Sequence, residues 1–222
     1  MIKQEIIDIN NKENILIFCA HPDDEILGCG SSTAVFSDEG KDVISVIFSY
    51  GELSHLKEEI IKKKRIRESE KASKMIGSKE IIFLGLPDSK IASRIEELNI
   101  KEKIKELIKQ YKPIKIFTHN PSDPLPDHKT VNEIVTNTIK ELKMDIPLYG
   151  FDIWNLYNLK ERERPLYYVD ISKTFWTKIR ALSIFKSQLH IMLYFLPIVF
   201  LRAKMAGRKN HCKYAERFYK LI

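Results

Sequence analysis

Residues Asn14–Ala20 read NILIFCA, and His21–Glu25, which follow without a gap, read HPDDE. A short apolar run rich in β-formers, cut off by a polar loop containing proline, predicts a strand buried on both faces. Working outward, Asp42–Ser49 (DVISVIFS), Glu80–Leu84 (EIIFL) and Lys115–Thr118 (KIFT) are runs of the same kind. Helical patterns separate them: Ile26–Glu39, then Leu56–Ile76 closed by Gly77, and Ile95–Tyr111 closed by Lys112-Pro113. Further on, Thr130–Lys143 predicts a helix, Pro147–Trp154 a strand and Lys173–Gln188 a helix. Strands alternating with helices predict an α/β fold. We expect a single domain over residues 1–222, built as a three-layer α/β/α Rossmann-like sandwich around a mostly parallel sheet. Such sheets bind ligands at the carboxyl ends of their strands, which directs attention to two loops.

The first loop is Ala20–Glu25 (AHPDDE), after the first strand. It packs one imidazole and three carboxylates into five residues. The second is Thr118–His128 (THNPSDPLPDH), after the fourth strand. Two histidines and a carboxylate with an open position make a catalytic zinc set, whereas structural zinc favours cysteines. Read singly, each histidine could cap a turn and each acid could favour a helix start. A nucleotide-binding Rossmann protein is disfavoured, since the first strand leads to HPDDE and not to a GxGxxG turn.

AHPDDE, the Gly28-Cys29-Gly30 that follows, and the later Pro126-Asp127-His128 resemble the LmbE/PIG-L family of zinc-dependent N-deacetylases. Phe48–Glu52 (FSYGE), the helix Arg65–Gly77, Leu86-Pro87-Asp88 and Tyr214–Phe218 (YAERF) resemble further family elements in the same order. The resemblance implies one Zn2+ per chain on His21, Asp24 and His128, with Asp23 as general base toward metal-activated water. It implies substrate contacts at Arg65 and Asp88. Glu68, three residues on in the helix, is the expected orienting partner of Arg65; His119 either supports the metal or ends its strand, and Asp123 and Asp127 either order the loop or support the metal. The implied reaction removes the acetyl group from an N-acetylated amino sugar. One departure stands out. Leu125 occupies a position where many family members carry a histidine that polarises the scissile carbonyl. A leucine cannot do that, so a degenerate metal- or sugar-binding homologue is the competing expectation. His211 is a candidate substitute or an exposed residue of the basic tail.

The chain of 222 residues is 44% hydrophobic and 30% charged, as globular proteins are. Its opening MIKQEIIDIN has no apolar core of a secretory signal, and Cys19, Cys29 and Cys212 form no CxxC pair. A cytoplasmic location with reduced thiols is the expectation. The net charge of +7 is unevenly placed: residues 171–222 hold 11 Lys/Arg and one acid, Glu216, leaving 26 basic and 29 acidic residues before them. A basic tail on an acidic body does not suggest nucleic acid. Within that tail Leu189–Leu201 (LHIMLYFLPIVFL) is nearly all apolar between Lys186 and Arg202. Thirteen residues are too few to span a bilayer. Core packing, a homo-oligomer interface and contact with the inner membrane face or a lipid-linked substrate are the readings left open.

Overall fold

The computed structural model describes residues 12–52, 58–155 and 163–222. The opening decapeptide and the first two residues of the helix expected from Leu56 lie outside them. Among the described residues seven strands form one sheet: β1 (Asn14–Cys19), β2 (Asp42–Ser49), β3 (Glu80–Leu86), β4 (Lys115–His119), β5 (Leu148–Phe151), β6 (Leu166–Asp170) and β7 (Ala215–Lys220). The helices are α1 (Asp24–Asp38), α2 (Glu58–Met75), α3 (Ile91–Arg94), α4 (Ile100–Tyr111), α5 (Pro126–Leu142), α6 (Phe175–Leu182) and α7 (Leu189–Lys209). The sheet order is β3-β2-β1-β4-β5-β7-β6. The first five of these positions are parallel, and β7 runs antiparallel to both of its neighbours.

Alternation along β1 divides the core. Ile15, Ile17 and Cys19 face a layer of α1, α2, α6 and α7, while Leu16, Phe18 and Ala20 face a layer of α4 and α5. The three-layer α/β/α sandwich expected from the sequence is the observed architecture. Chain direction across the sheet reverses between β1 and β4, so the carboxyl ends of these two strands flank a crevice.

Several elements differ from their sequence patterns for local reasons. The helix expected from Ile95 begins at Ile100, because Asn99 takes a left-handed conformation (φ 50°) that asparagine tolerates. The helix expected over Lys173–Gln188 ends at Leu182 and resumes only as a 3-10 turn at Lys186–Gln188. There the Ser183 hydroxyl donates to the Arg180 carbonyl at 2.7 Å, competing for the backbone acceptor. Conversely, α5 starts four residues earlier than its pattern, at Pro126, whose missing N–H and fixed φ suit the first helical position. That places Asp127 and His128 in a helical first turn. The apolar run Leu189–Leu201 also continues through Pro197 to Lys209. The resulting stretch, Lys186–Lys209, is long and apolar enough to cross a membrane by length and composition.

Glu216 of β7 enters the interior of α1. Its carboxylate accepts the backbone amides of Ser31 (3.2 Å) and Ser32 (2.7 Å). Lys178 of α6 donates to the same carboxylate (2.6 Å) and to the Leu27 carbonyl (2.7 Å). A buried acid and a buried base thereby complete a helix that starts at the crevice.

Candidate active site

The two motif loops meet at the carboxyl ends of β1 and β4. Asp24 opens α1, and its Oδ2 accepts the backbone N–H of His21 at 2.9 Å. The same oxygen lies 3.5 Å from His21 Nδ1 and 3.4 Å from His128 Nε2. One candidate ligand atom from each of His21, Asp24 and His128 falls within 4.8 Å of the others. Behind each ring stands another carboxylate. Asp123 Oδ1 is 3.0 Å from His128 Nδ1; Asp88 Oδ1 and Asp127 Oδ2 are 3.1 and 3.4 Å from His21 Nε2. Each imidazole therefore has one nitrogen toward Asp24 and the other toward an outer acid, the arrangement that orients metal-ligating histidines.

His119 is brought to the same place but is differently engaged. Its fully buried ring stacks on His128 at 3.8 Å between centroids, and its Nε2 accepts the Ala20 amide at 3.0 Å. Burial, with His128 beside it, lowers its pKa to about 4. Its Nε2 also lies 3.3 Å from Asp24 Oδ2, and His119, Asp123 and His128 form a second group of possible ligand atoms within 4.8 Å of one another. Through the Ala20 amide His119 locks the end of β1 to the end of β4.

The donor set fits a metal. Two imidazole nitrogens and a carboxylate oxygen match a catalytic zinc site, and His128 Nε2 is buried with no hydrogen-bond partner. Burial works against protonated His128, but Asp24 and Asp123 outweigh it and lift the pKa to about 9. A divalent cation would supply the positive charge that these acids otherwise draw from protons.

Asp23 precedes Asp24 in a backbone conformation unusual for a non-glycine residue, φ 110°. Arg65 of α2 holds it there. Its Nη2 donates to the Pro22 carbonyl (2.8 Å) and lies 3.3 Å from Asp23 Oδ2, and its Nη1 donates to the Gly51 carbonyl (2.7 Å). Gly51 is required in turn: its φ is 67°, and a Cβ there would meet the guanidinium at 2.2 Å. Burial pushes the Asp23 carboxyl up to about 7, against the opposing pull of Arg65. Glu25, pushed by burial to about 8, braces the turn by accepting the Asp23 amide and the Ser69 hydroxyl.

A cavity of about 340 Å³ opens over this floor. Its polar side includes Asp23, Arg65, Asp88 and His128, and Leu125 lies at its rim where α5 begins. Ile153, Trp154, Ile191 and Phe195 supply an apolar wall that the sequence reading missed. Two other expectations meet different surroundings. Glu68 does not orient Arg65; its carboxylate accepts the amide and hydroxyl of Ser187, tying α2 to the turn before α7. His211 is exposed in the turn after α7 and is not among the cavity's lining residues.

The fold and site define a class: an α/β sandwich with a two-histidine, one-carboxylate candidate metal cluster at its topological switch point. Residues 16–139 match the family PIG-L, described as GlcNAc-PI de-N-acetylase, and the chain belongs to that family. It is 23% identical over 223 residues to the diacetylchitobiose deacetylase of Thermococcus kodakarensis, covering 93% of this chain and 82% of that protein. Among solved structures it is similar to GalB, the 4-carboxy-2-hydroxymuconate hydratase of Pseudomonas putida KT2440. The TM-score is 0.81 at 18% identity, over 95% of this chain and 96% of that one. It is also similar to the zinc-inhibited form of teicoplanin deacetylase Orf2, with a TM-score of 0.76 at 15% identity over 94% and 97% of the two chains. The fold is thus shared by a hydratase and by deacetylases, and the site chemistry has to separate them.

Proposed function

We propose that this protein is a zinc-dependent N-deacetylase acting on an N-acetylated amino sugar, with one zinc ion per chain on His21, Asp24 and His128. The carrying observation is the convergence of these three side chains within 4.8 Å on the cavity floor, with the Asp23 carboxylate beside them. Family membership and the deacetylase relative support the same reading. Zinc bound there supplies Lewis acidity toward water and an amide carbonyl.

The remaining work falls to the chain. Asp23, held by Arg65 and adjacent to but distinct from the ligand Asp24, accepts a proton from the attacking water. Water adds to the acetyl carbon, the C–N bond breaks, and Asp23 returns the proton to the departing amine, leaving acetate and a free amino sugar. Arg65 acts chiefly as a positioning residue, since both of its Nη atoms are engaged with the loop. In this reading Asp88, beside His21 and lining the cavity, meets sugar hydroxyls. The apolar wall of Trp154 and Phe195 suits the flat face of a pyranose ring.

The test is acetate release from N-acetylglucosamine-containing saccharides by chelator-treated protein before and after zinc is restored. Zinc-restored acetate release is expected. Binding of the saccharide by zinc-loaded protein with no acetate released would select a non-catalytic sugar-binding role.

A further inference from the structure

The outer face of α7 does not suit water. Leu189, Leu193, Tyr194, Pro197, Phe200 and Leu201 form one exposed stripe, with 60% of Leu193 and 62% of Tyr194 accessible. The inner face, with Met192, Phe195, Val199 and Ala203, is buried. Exposed His190 at its start apart, the helix is apolar on both sides for about three turns, where a surface helix carries polar residues outward. Two tryptophans border the stripe. Trp154, 38% exposed, lies 6.3 Å from Tyr194 between ring centroids; Trp176, 56% exposed, follows Phe175, whose ring is 5.9 Å from Phe200.

Charge selects the occupant. The stripe runs on into exposed Lys204 and Arg208 and is preceded by exposed Lys186. From Ile171 onward every exposed charged side chain is a lysine or arginine, and the one acid, Glu216, is buried against Lys178. A second copy seated on this face would set cations near cations. A spanning orientation is opposed by the inner face, which packs in the core, and by Arg202, which donates to the carbonyls of Asp152 (2.6 Å) and Ile153 (3.2 Å). An apolar stripe with aromatic borders and basic ends matches a helix lying at an anionic lipid interface.

We propose that α7 is a docking surface for an anionic bilayer, with Leu189–Leu201 against the acyl boundary and the flanking lysines and arginines on the headgroups. Ile191 and Phe195 of the same helix wall the cavity, so docking holds the cavity within about one helix diameter, ~10 Å, of the lipid. This proposal is independent of the reaction catalysed.

The full chain is mixed at low ionic strength with vesicles of phosphatidylcholine alone, or of phosphatidylcholine with an equal part of phosphatidylglycerol, and sedimented. It should pellet with the anionic vesicles and be released by high salt. Leu193→Glu and Lys204→Glu should each lower the partition coefficient by about tenfold. Both sites are exposed and outside the cavity, so melting temperature and turnover of a water-soluble acetylated sugar should be unchanged. Equal binding to both vesicle types, or none, overturns the proposal. So does a dimer in light scattering that Leu193→Glu dissociates without any vesicle binding, or protein that resists alkaline carbonate extraction, which marks a spanning helix.

Discussion

The Asp123 carboxylate stands 3.0 Å from Nδ1 of His128, on the opposite side of the ring from Asp24. Removing such an outer acid lowers metal affinity by roughly 10–100-fold in comparable sites. Asp123→Ala should weaken zinc binding by that order in a competition titration. Asp123 Oδ1 also accepts the Leu125 amide at 3.1 Å, so the alanine variant disturbs the loop as well. Asp123→Asn keeps an acceptor for that amide and removes the charge. If both variants hold zinc like the parent, His128 needs no orienting partner.

Asp23 and Asp24 are neighbours with separable duties. Asp23→Asn should abolish nearly all turnover while retaining close to one zinc per chain. Asp24→Ala should lose the metal, as should His21→Ala and His128→Ala. Elemental analysis showing equal zinc loss in Asp23→Asn and Asp24→Ala would contradict the division of roles.

Leu125 lies at the cavity rim with its backbone already fixed by Asp123. Leu125→His should raise turnover or leave it unchanged, because a ring there adds a donor toward a developing oxyanion. Loss of such a donor costs about 2.7–4 kcal/mol elsewhere. A fall in kcat of comparable size in folded, zinc-loaded Leu125→His would give leucine a role of its own in catalysis.

Lys178 and Glu216 are both buried. Breaking a buried pair by removing one partner costs about 3–5 kcal/mol, so Lys178→Met should lower Tm by roughly 6–20 °C. Lys178→Met combined with Glu216→Gln should recover only part of this: no charge is stranded, but the amide offers α1 one acceptor where the carboxylate offers two. A calorimetric scan in which the single variant melts like the parent would remove this pair from the fold's supports.

The parts legible in the sequence share a physical cause. β1, β2 and β4 are buried on both faces, so their apolar runs are uninterrupted, and each motif loop begins where such a run stops. β6 and β7 give no such signal. Leu166–Asp170 is half exposed at the sheet edge, and Ala215–Lys220 carries Glu216, Arg217 and Lys220. A buried carboxylate reads as a surface one until Lys178, 38 residues away, is folded against it. The candidate ligands were legible because each follows a strand. The apolar wall was not, because Trp154, Ile191 and Phe195 come from segments whose approach to β1 depends on the whole C-terminal layer. The i, i+3 spacing of Arg65 and Glu68 on a helix suggests a pair, whereas in the fold Arg65 reaches Pro22 and Gly51 and Glu68 reaches Ser187, contacts that no local pattern announces.

The strand order has a consequence for how this chain is made. β7 follows both β5 and β6 in the chain, yet it lies between them in the sheet. While the ribosome delivers residues up to Lys213, the β5 edge is open and β6 has no neighbour in the sheet with which to pair. Ser31 and Ser32 likewise await the acceptor that residue 216 brings. Domains generally fold as units during synthesis, and unpaired strand edges are the surfaces on which nascent chains aggregate. The helix that carries Asp24 is therefore completed only once residue 216 has been made, long after the helix itself, and until then the inner edge of β5 lacks the strand that covers it.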